Sequence, residues 1–472
     1  MRKNILQTER FHSPKMGRIK HIHFVGIGGV GMCGIAEMLH REGYRISGSD
    51  LSENQAVHRL RSLGINVIKG HNSENIVGAD AVVQSTAISN DNPEIVAAKA
   101  TKIPVLPRAA MLAELMRFRQ GIAIAGTHGK TTTTSLVATL LVEGGLDPSY
   151  VVGGKVNSSG TNAILGTSSY CVVEADESDA SFLFLKPMMA IVTNIDADHM
   201  STYNGDFRKL CETFIEFLHH LPFYGLAVLC VDDPEVKGII PLVQRPIITY
   251  GFDEMADFKA VNWQQNGMVS SFTVKRPAPH SELNIEFNWP GQHNVLNSLA
   301  AIAIATELGI SDIDIKNGLQ QFAGVGRRFQ MLGERGFSKG KAMIIDDYGH
   351  HPREIRATIE AFRAAWPSKR LVHVFQPHRY TRTRDLFAEF VDVLSLSDQL
   401  LLLDIYSAGE DAIAGVVSEN LLNKINEKSI NALLINELSL LDKLDDVIVD
   451  GDVILMQGAG NVGQIAANLM RK

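Results

Sequence analysis

QGIAIAGTHGKTTTTSLVATLLVEGG, residues 120–145, is the stretch that decides the fold. Its first seven residues form a continuous apolar run bounded by glycine, which reads as a buried strand. A short polar loop follows, and then a helical pattern begins at the threonines. Strand, glycine loop and helix are the setting of a phosphate-binding loop, in which backbone N–H groups and the positive end of the helix dipole face an anion. Lys130 offers a point charge to β- and γ-phosphates, and the Thr131 hydroxyl is a ligand for Mg2+. The spacing departs from the usual G-x-x-x-x-G-K-[ST], because Ile124 stands where the first glycine belongs. The loop is a shorter form, G-x-x-G-K-[ST]-[ST], running from Gly126 to Thr132. A bare threonine helix cap leaves the Gly129-Lys130-Thr131 run unexplained.

A hundred residues earlier, GIGGVG (26–31) matches G-x-G-x-x-G through Gly26, Gly28 and Gly31, with Gly29 between them. It follows the apolar run HIHFVGIGG (21–29), opens a helical pattern from Met32 to Arg41, and leads to a short strand, YRISGSD (44–50), that ends on Asp50. This is a βαβ unit, and the glycines let backbone approach a diphosphate. From the glycines alone NAD, a UDP-sugar and no ligand at all stand level. GAGNVG (458–463) matches the same pattern and shows how weak it is.

Working outward, the alternation of strands and helices divides the chain into a flexible tail (1–19) and three α/β domains, 20–118, 119–324 and 325–472. DAVVQSTAIS (80–89) and IPVLP (103–107) continue the first sheet, which ends in the helix AAMLAELMRF. CVVEADES (171–178), MAIVTNIDADH (189–199) and GLAVLCVDD (225–233) are strands of the second. Residues 252–290 alternate as antiparallel strands do, and GQHNVLNSLAAIAIATELGI (291–310) is a helix. KAMIIDDYG (341–349), RLVHVFQPH (370–378), LLLLDIY (400–406) and DVILMQGAG (452–460) imply a parallel third sheet. The expected fold class is α/β: a Rossmann-like first domain, a central P-loop ATPase-type mixed sheet and a Rossmann-like third domain.

Composition narrows the function. Of 472 residues, 45% are hydrophobic and 21% charged, with a net charge of −7. That suits globular domains with real cores and argues against a nucleic-acid partner, for which there is no basic excess. Cys33, Cys171, Cys211 and Cys230 have no C-x-x-C spacing and give neither a disulfide framework nor a zinc site. No apolar run reaches the ~18 to 20 residues of a membrane span, and the polar N-terminus lacks a signal-peptide core. The expected location is cytoplasmic, with no membrane partner; monomer and homodimer both stand open.

Polar residues collect at strand ends, where open α/β sheets bind ligands. Glu174 closes CVVEADES as a metal-binding carboxylate would. His199 ends NIDADH, although Mg2+ prefers oxygen. Asp176, Glu177 and Asp179 read as a solvated acidic loop. DDYGHHP (346–352) and QPHRYTRTRD (376–385) cluster His, Asp and Arg, and paired arginines can fork a carboxylate.

Together, GIGGVGMCGIA, AGTHGKTTTTS, VVEADESD, TNIDADHMSTY, GQHNVLNSLAA, GRRFQ, DDYGHHP, FQPHRYTRT and QGAGNVG resemble the Mur ligase family, the ATP-dependent ligases of peptidoglycan precursor synthesis. The likeness runs from about residue 20 to 470. It implies that the first cradle holds a uridine diphosphate and the second ATP with Mg2+. The implied reaction joins L-alanine to the lactyl carboxylate of UDP-N-acetylmuramate through an acyl phosphate, giving ADP and phosphate. Carried over by position, Gly126, Thr127, His128, Gly129, Lys130, Thr131 and Thr132 wrap the triphosphate, and Thr131, Glu174 and His199 hold the metal. His293 and Asn297 contact adenine, Arg328 reaches the γ-phosphate and Asp347 meets the ribose. Lys130, Glu174, His199 and Arg328 form the implied catalytic set. His350, His378, Arg379 and Arg382 are the implied alanine pocket, and Asp50, His71 and Ser85 join Gly26, Gly28, Gly29 and Gly31 on the UDP-sugar. Several sister ligases carry a carbamoylated lysine fifteen residues beyond the metal-site histidine, where this chain has Phe214, so no modified lysine is expected.

Three competing readings remain. A related recycling ligase joins a tripeptide to the same sugar nucleotide. An NAD-dependent oxidoreductase explains the first glycines but not Lys130, Glu174 or His199. A P-loop switch explains the ATP loop but not the Arg379 and Arg382 cluster. The implied roles of Arg328 and Asp347 also lead to an expectation of domain closure.

Overall fold

The computed structural model describes residues 11, 13–157, 161–428 and 430–471. The chain divides into two compact units. The first comprises Met1–Val261, Thr273–Ile285 and Leu296–Ala323, and the second Asn262–Phe272, Glu286–Val295 and Gly324–Lys472.

The first unit opens on a five-stranded parallel sheet in the order Asn66–Lys69, Arg45–Asp50, His21–Val25, Ala81–Gln84, Val105–Pro107. His21–Val25 is buried throughout, as a central parallel strand covered on both faces must be. The glycine loop leaves its C-terminal end and opens the helix Val30–Arg41. Before this sheet, the described part of the expected tail touches the domain: the Met16 N–H donates to the Tyr44 hydroxyl at 2.8 Å and Ser13 Oγ to Glu42 at 3.2 Å. Residues 1–10 and 12 lie outside the described residues.

A second, ten-stranded sheet follows. Its parallel centre runs Ile247–Gly251, Leu226–Cys230, Met189–Val192, Gln120–Ala125, Tyr170–Glu174, Ser149–Val156, and Thr161–Ile164 closes one edge antiparallel. Phe258–Asn266, Val269–Lys275 and Leu283–Phe287 continue the other edge. The two sheets of the first unit share one core, because Val30–Arg41 packs on the strands Ser149–Val156 and Thr161–Ile164. A Cβ on Gly34 would stand 2.8 Å from Ala163 Cβ, so only glycine permits that approach. Buried Arg119 clamps the junction, reaching Glu42 at 2.8 Å and Ser149 Oγ at 3.1 Å.

The second unit is built on a six-stranded sheet in the order Gln330–Phe337, Gly340–Asp347, Val453–Gln457, Leu371–Phe375, Gln399–Leu402, Ala432–Leu434. Five of these are parallel, and Gln330–Phe337 pairs antiparallel with Gly340–Asp347 through a tight hairpin. The expectation of a purely parallel third sheet is corrected at that edge. The hairpin strand alternates between partly and fully exposed positions and has no buried run to betray it.

Candidate active site

The loop 126–129 leaves the central strand Gln120–Ala125 between the ends of its neighbours, Tyr170–Glu174 and Met189–Val192. That position makes it a meeting point. Thr131 Oγ donates to Glu174 Oε1 at 2.9 Å. Lys130 Nζ donates to the carbonyls of Gly126 (2.7 Å) and Thr127 (3.1 Å) and to both oxygens of Glu177, at 3.0 and 2.7 Å. The loop backbone is braced by the 193–196 segment. Asn194 Oδ1 accepts from the His128 N–H at 2.7 Å, and the His128 carbonyl accepts from Thr193 Oγ at 2.6 Å. His128 Nε2 lies 3.2 Å from Asp196.

Gly126 sits at φ +129°, and a Cβ there would stand 2.1 Å from Thr193 Oγ. Gly129, at φ +82°, caps the helix Lys130–Glu143. Its would-be Cβ lies 2.7 Å from Asn297 Oδ1, which also accepts from Thr133 Oγ at 3.1 Å. Asn297 thus stands beside the loop, with His293 one turn earlier on the same helix, Gln292–Glu307. Thr132 is buried within the first turn of the helix Lys130–Glu143.

Glu177 corrects the reading of 176–179 as a solvated acidic loop. It is 4% exposed and ion-paired to Lys130. Burial pushes its carboxyl up to about 7 against the pull of Lys130. Burial also opposes the Lys130 ammonium, but the Glu177 carboxylate overrides it and raises that group. The turn 199–203 is tied to this loop, since Tyr203 OH donates to the Glu177 carbonyl and Thr202 Oγ to that of Ser178 at 2.6 Å. His199 heads the turn at φ +53°, its Nε2 3.5 Å from Asp198. Phe214 is buried and meets Phe182 edge-on at 5.2 Å, so its position belongs to the core.

At the first cradle, the Ser49 carbonyl accepts from the N–H groups of Gly26 (2.9 Å) and Ile27 (3.0 Å), and Asp50 Oδ2 from that of Gly28 at 2.8 Å. Asp50 Oδ1 is taken by Ser52 N and Oγ, each at 2.8 Å. Ser85 crowds Gly26, with its Cβ 3.0 Å from where a Gly26 Cβ would stand, and Gly29 caps the helix without a side chain. His71 lies 3.0 Å from Ser49 Oγ. Sequence reading passed over Arg108. Its Nη1 would lie 2.8 Å from a Cβ on Gly31, and its guanidinium reaches Asp176 at 3.6 Å. A signal existed: Arg108 is the first residue of the helix Arg108–Met116, where the dipole disfavours a cation.

In the second unit, His350, His378 and Arg382 come together. The two rings are 5.8 Å apart and Arg382 Nη1 is 3.2 Å from His378 Nδ1. Tyr406, which sequence reading did not single out, stacks on His378 at 5.6 Å. Arg379 turns to Glu410, 3.8 Å away, and is 40% exposed. Arg328 packs over the Tyr348 ring at 5.1 Å and lies 3.5 Å from Glu354. Asp347 is buried, accepting from Phe329 N (2.9 Å), Gly349 N (3.0 Å) and Gln457 Nε2 (2.7 Å). Burial pushes the adjacent Asp346 up to about 6 against Arg327. His293 is lowered to about 4, chiefly by burial. The third glycine motif is filled by the protein itself, since Cβ atoms on Gly460 and Gly463 would strike Gln376 and Arg327.

Family models match three consecutive stretches: the Mur ligase family catalytic domain over 21–120, the Mur ligase middle domain over 124–305, and the Mur ligase glutamate ligase domain over 327–460. The chain is 69% identical over 464 residues to a UDP-N-acetylmuramate–L-alanine ligase of Legionella pneumophila strain Philadelphia 1, covering 98% of this chain and 99% of the relative. Its fold matches the UDP-N-acetylmuramate-alanine ligase of Thermotoga maritima with a TM-score of 0.81 at 27% identity, over 96% of this chain and 98% of that one. A murein peptide ligase of Psychrobacter arcticus shares the fold at a TM-score of 0.69 and 23% identity, over 96% and 98% of the two chains.

Proposed function

The chain belongs to the Mur ligase family, and from that premise we propose that it joins L-alanine to UDP-N-acetylmuramate at the expense of ATP. The observation that carries this reading is the 69% identity, over 98% of the chain, to an alanine-adding relative. The murein peptide ligase of Psychrobacter arcticus shares the fold alone, at 23% identity.

Chemistry explains why ATP is needed. A carboxylate is a poor electrophile. Transfer of the γ-phosphoryl group onto a lactyl oxygen releases ADP and makes an acyl phosphate. The alanine amine attacks the acyl carbon, phosphate leaves with the C–O bond pair, and an amine proton is lost. Charge migrates during the first step, so the protein's task is fixed positive charge and positioning.

The assigned parts fit that task. Lys130 carries an ammonium already held over the loop mouth, and Gly126 to Thr132, His128 included, shape a cradle for the triphosphate. The Thr131 hydroxyl and the Glu174 carboxylate, in contact at 2.9 Å, are the oxygen donors a hard cation requires, which supports Mg2+ there. His199 is the third proposed ligand. Bound Mg2+ would supply further neutralisation of the phosphates. Asn297 and His293 are assigned to adenine, Arg328 to the γ-phosphate and Asp347 to the ribose. Asp347 also braces the backbone next to Arg328 through Phe329 N. His350, His378, Arg379 and Arg382 are assigned to alanine, with Arg382 as the principal partner of its carboxylate. Gly26, Gly28, Gly29, Gly31, Asp50, His71 and Ser85 are assigned to the UDP-sugar. A cytoplasmic location accompanies this reading, because its nucleotide and amino-acid substrates are found there. Among the described residues no helix is long and apolar enough to cross a membrane.

Thermal unfolding tests the ligand set. UDP-N-acetylmuramate and ATP with Mg2+ are each expected to raise the Tm, and NADH to leave it unchanged. Protection by NADH without protection by the sugar nucleotide would overturn the reading.

A further inference from the structure

Behind the first cradle lies a buried hydrogen-bond chain with a direction. Glu94, in the first turn of the helix Pro93–Ala100, is fully buried. Its Oε1 accepts from Asn75 Nδ2 and from the Asn72 N–H at 3.3 Å. Its Oε2 accepts from Ser49 Oγ at 2.6 Å, with His23 Nε2 and His71 Nδ1 each 3.5 Å away. Burial disfavours the charge, yet the His23, Ser49 and Asn75 donors hold the carboxyl below its usual range. A carboxylate has no proton to give, so the single Ser49 hydrogen points at Glu94. Ser49 Oγ then meets His71 Nδ1, at 3.0 Å, with lone pairs only. The hydrogen on that bond comes from the ring. A neutral His71 so placed is the Nδ1–H tautomer, and its Nε2 is a bare acceptor. That Nε2 is buried and has no partner among the described residues, on a side chain 10% exposed. The carbonyl of the same Ser49 accepts from the Gly26 and Ile27 N–H groups, so the ring stands beside the glycine loop.

We propose that Glu94 is a positioning residue for the sugar nucleotide: through Ser49 it fixes His71 as the acceptor of a hydrogen bond from the uridine moiety, from either uracil N3–H or a ribose hydroxyl. This rests on the reading of the glycine loop as the UDP-sugar cradle. It goes beyond that reading by naming the relay, the tautomer and the polarity of the contact.

Glu94→Gln reverses the relay without changing its shape. Two donors, Asn75 Nδ2 and Asn72 N–H, pin the amide oxygen at the Oε1 position, so the amide NH2 faces Ser49. Ser49 Oγ must then accept from the amide and donate to His71 Nδ1, which moves the ring proton to Nε2 and turns the acceptor into a donor.

The test combines spectroscopy and kinetics on the full-length protein. Histidine 15N spectra, with His71 assigned by the missing signal of His71→Asn, are expected to show Nδ1–H in the wild type and Nε2–H in Glu94→Gln. KM for UDP-N-acetylmuramate is expected to rise about tenfold, the loss of one hydrogen bond, in both Glu94→Gln and Ser49→Ala. Values of kcat and of KM for ATP should stay unchanged. Should Glu94→Gln fail to fold, Ser49→Ala reads the same relay without touching the carboxylate. Sensitivity to N3-methylation of the sugar nucleotide assigns the donor to uracil, and sensitivity to its 2′-deoxy form assigns it to ribose. A wild-type His71 that is doubly protonated or protonated at Nε2, two variants with wild-type KM, or indifference to both analogues would overturn the relay. A wild-type enzyme whose rate does not depend on the sugar nucleotide would instead overturn the cradle reading and leave the tautomer assignment standing.

Discussion

Lys130 Nζ stands 2.7 Å from Glu177 Oε2, in a pair whose side chains are only 15% and 5% exposed. With the Gly126 and Thr127 carbonyls as further acceptors, the ammonium is held in the loop before any phosphate arrives. The loop is thereby preorganised, and on the proposed reading nucleotide binding exchanges partners around a charge already in place.

Removing either member has a distinct signature. Glu177→Gln removes the acid that faces Lys130, leaving Asp176 and Glu174 as its remaining negative neighbours, and is expected to destabilise the nucleotide-free protein. Urea unfolding with and without ATP measures this, and an unchanged midpoint would show the pair to be incidental. Lys130→Ala is expected to lower kcat by about a thousandfold in a protein that still binds UDP-N-acetylmuramate by thermal shift.

Gly126→Ala tests the loop's shape. A Cβ would lie 2.1 Å from Thr193 Oγ and 3.0 Å from two backbone atoms, at a φ of +129°. A loss of about 3 kcal/mol is expected from overpacking and strain together, along with loss of ATP protection. A variant with wild-type ATP protection would contradict the cradle geometry.

Arg382→Ala is expected to raise KM for alanine about thirtyfold, the scale of a charge-assisted hydrogen bond, with kcat little changed. Arg379→Ala should have a smaller effect, because Arg379 is 40% exposed and turned to Glu410. Lysine at 382 should rescue poorly, since it lacks the planar fork. Steady-state kinetics at saturating ATP and sugar nucleotide separate these cases, and unchanged alanine kinetics in Arg382→Ala would remove it from the pocket.

Acid stability follows from His373. It is fully buried on the strand Leu371–Phe375, its Nδ1 2.9 Å from Ser397 Oγ, and burial lowers it from 6.5 to about 3. The unfolded chain takes up a proton below pH 6.5 that the folded chain refuses. Its contribution is therefore intact above pH 6.5 and is lost as pH falls toward about 3. By pH 5 the loss is about 2 kcal/mol. Denaturant unfolding at pH 7 and pH 5 should show a drop in wild type that His373→Gln reduces by that amount; equal drops would contradict it.

Local chemistry was legible in the sequence and partnership was not. The loop 126–132 could be read because strand, glycine and helix signals lie within one short stretch. The strand-end histidines and Arg382 were visible because parallel strands deliver their C-termini to one edge. Glu177 looked solvated because its partner, Lys130, is 47 residues away, and burial of an acid is set by the whole fold. Asp50 could be read only as part of the UDP-sugar cradle, and its two oxygens are seen in the fold to brace Gly28 and Ser52. The edge strand Gln330–Phe337 escaped notice because an edge strand needs no buried run. The chain from His71 to Glu94 joins residues 22 to 45 apart and has no sequence period at all.

The most direct measurement is phosphate release from ATP and Mg2+ with UDP-N-acetylmuramate, run in parallel with L-alanine, with L-Ala-γ-D-Glu-diaminopimelate, and with neither amine. Release only in the alanine arm is the predicted result. Release only with the tripeptide would contradict the account and make the protein a recycling ligase, and release in all arms alike would reduce it to an ATPase.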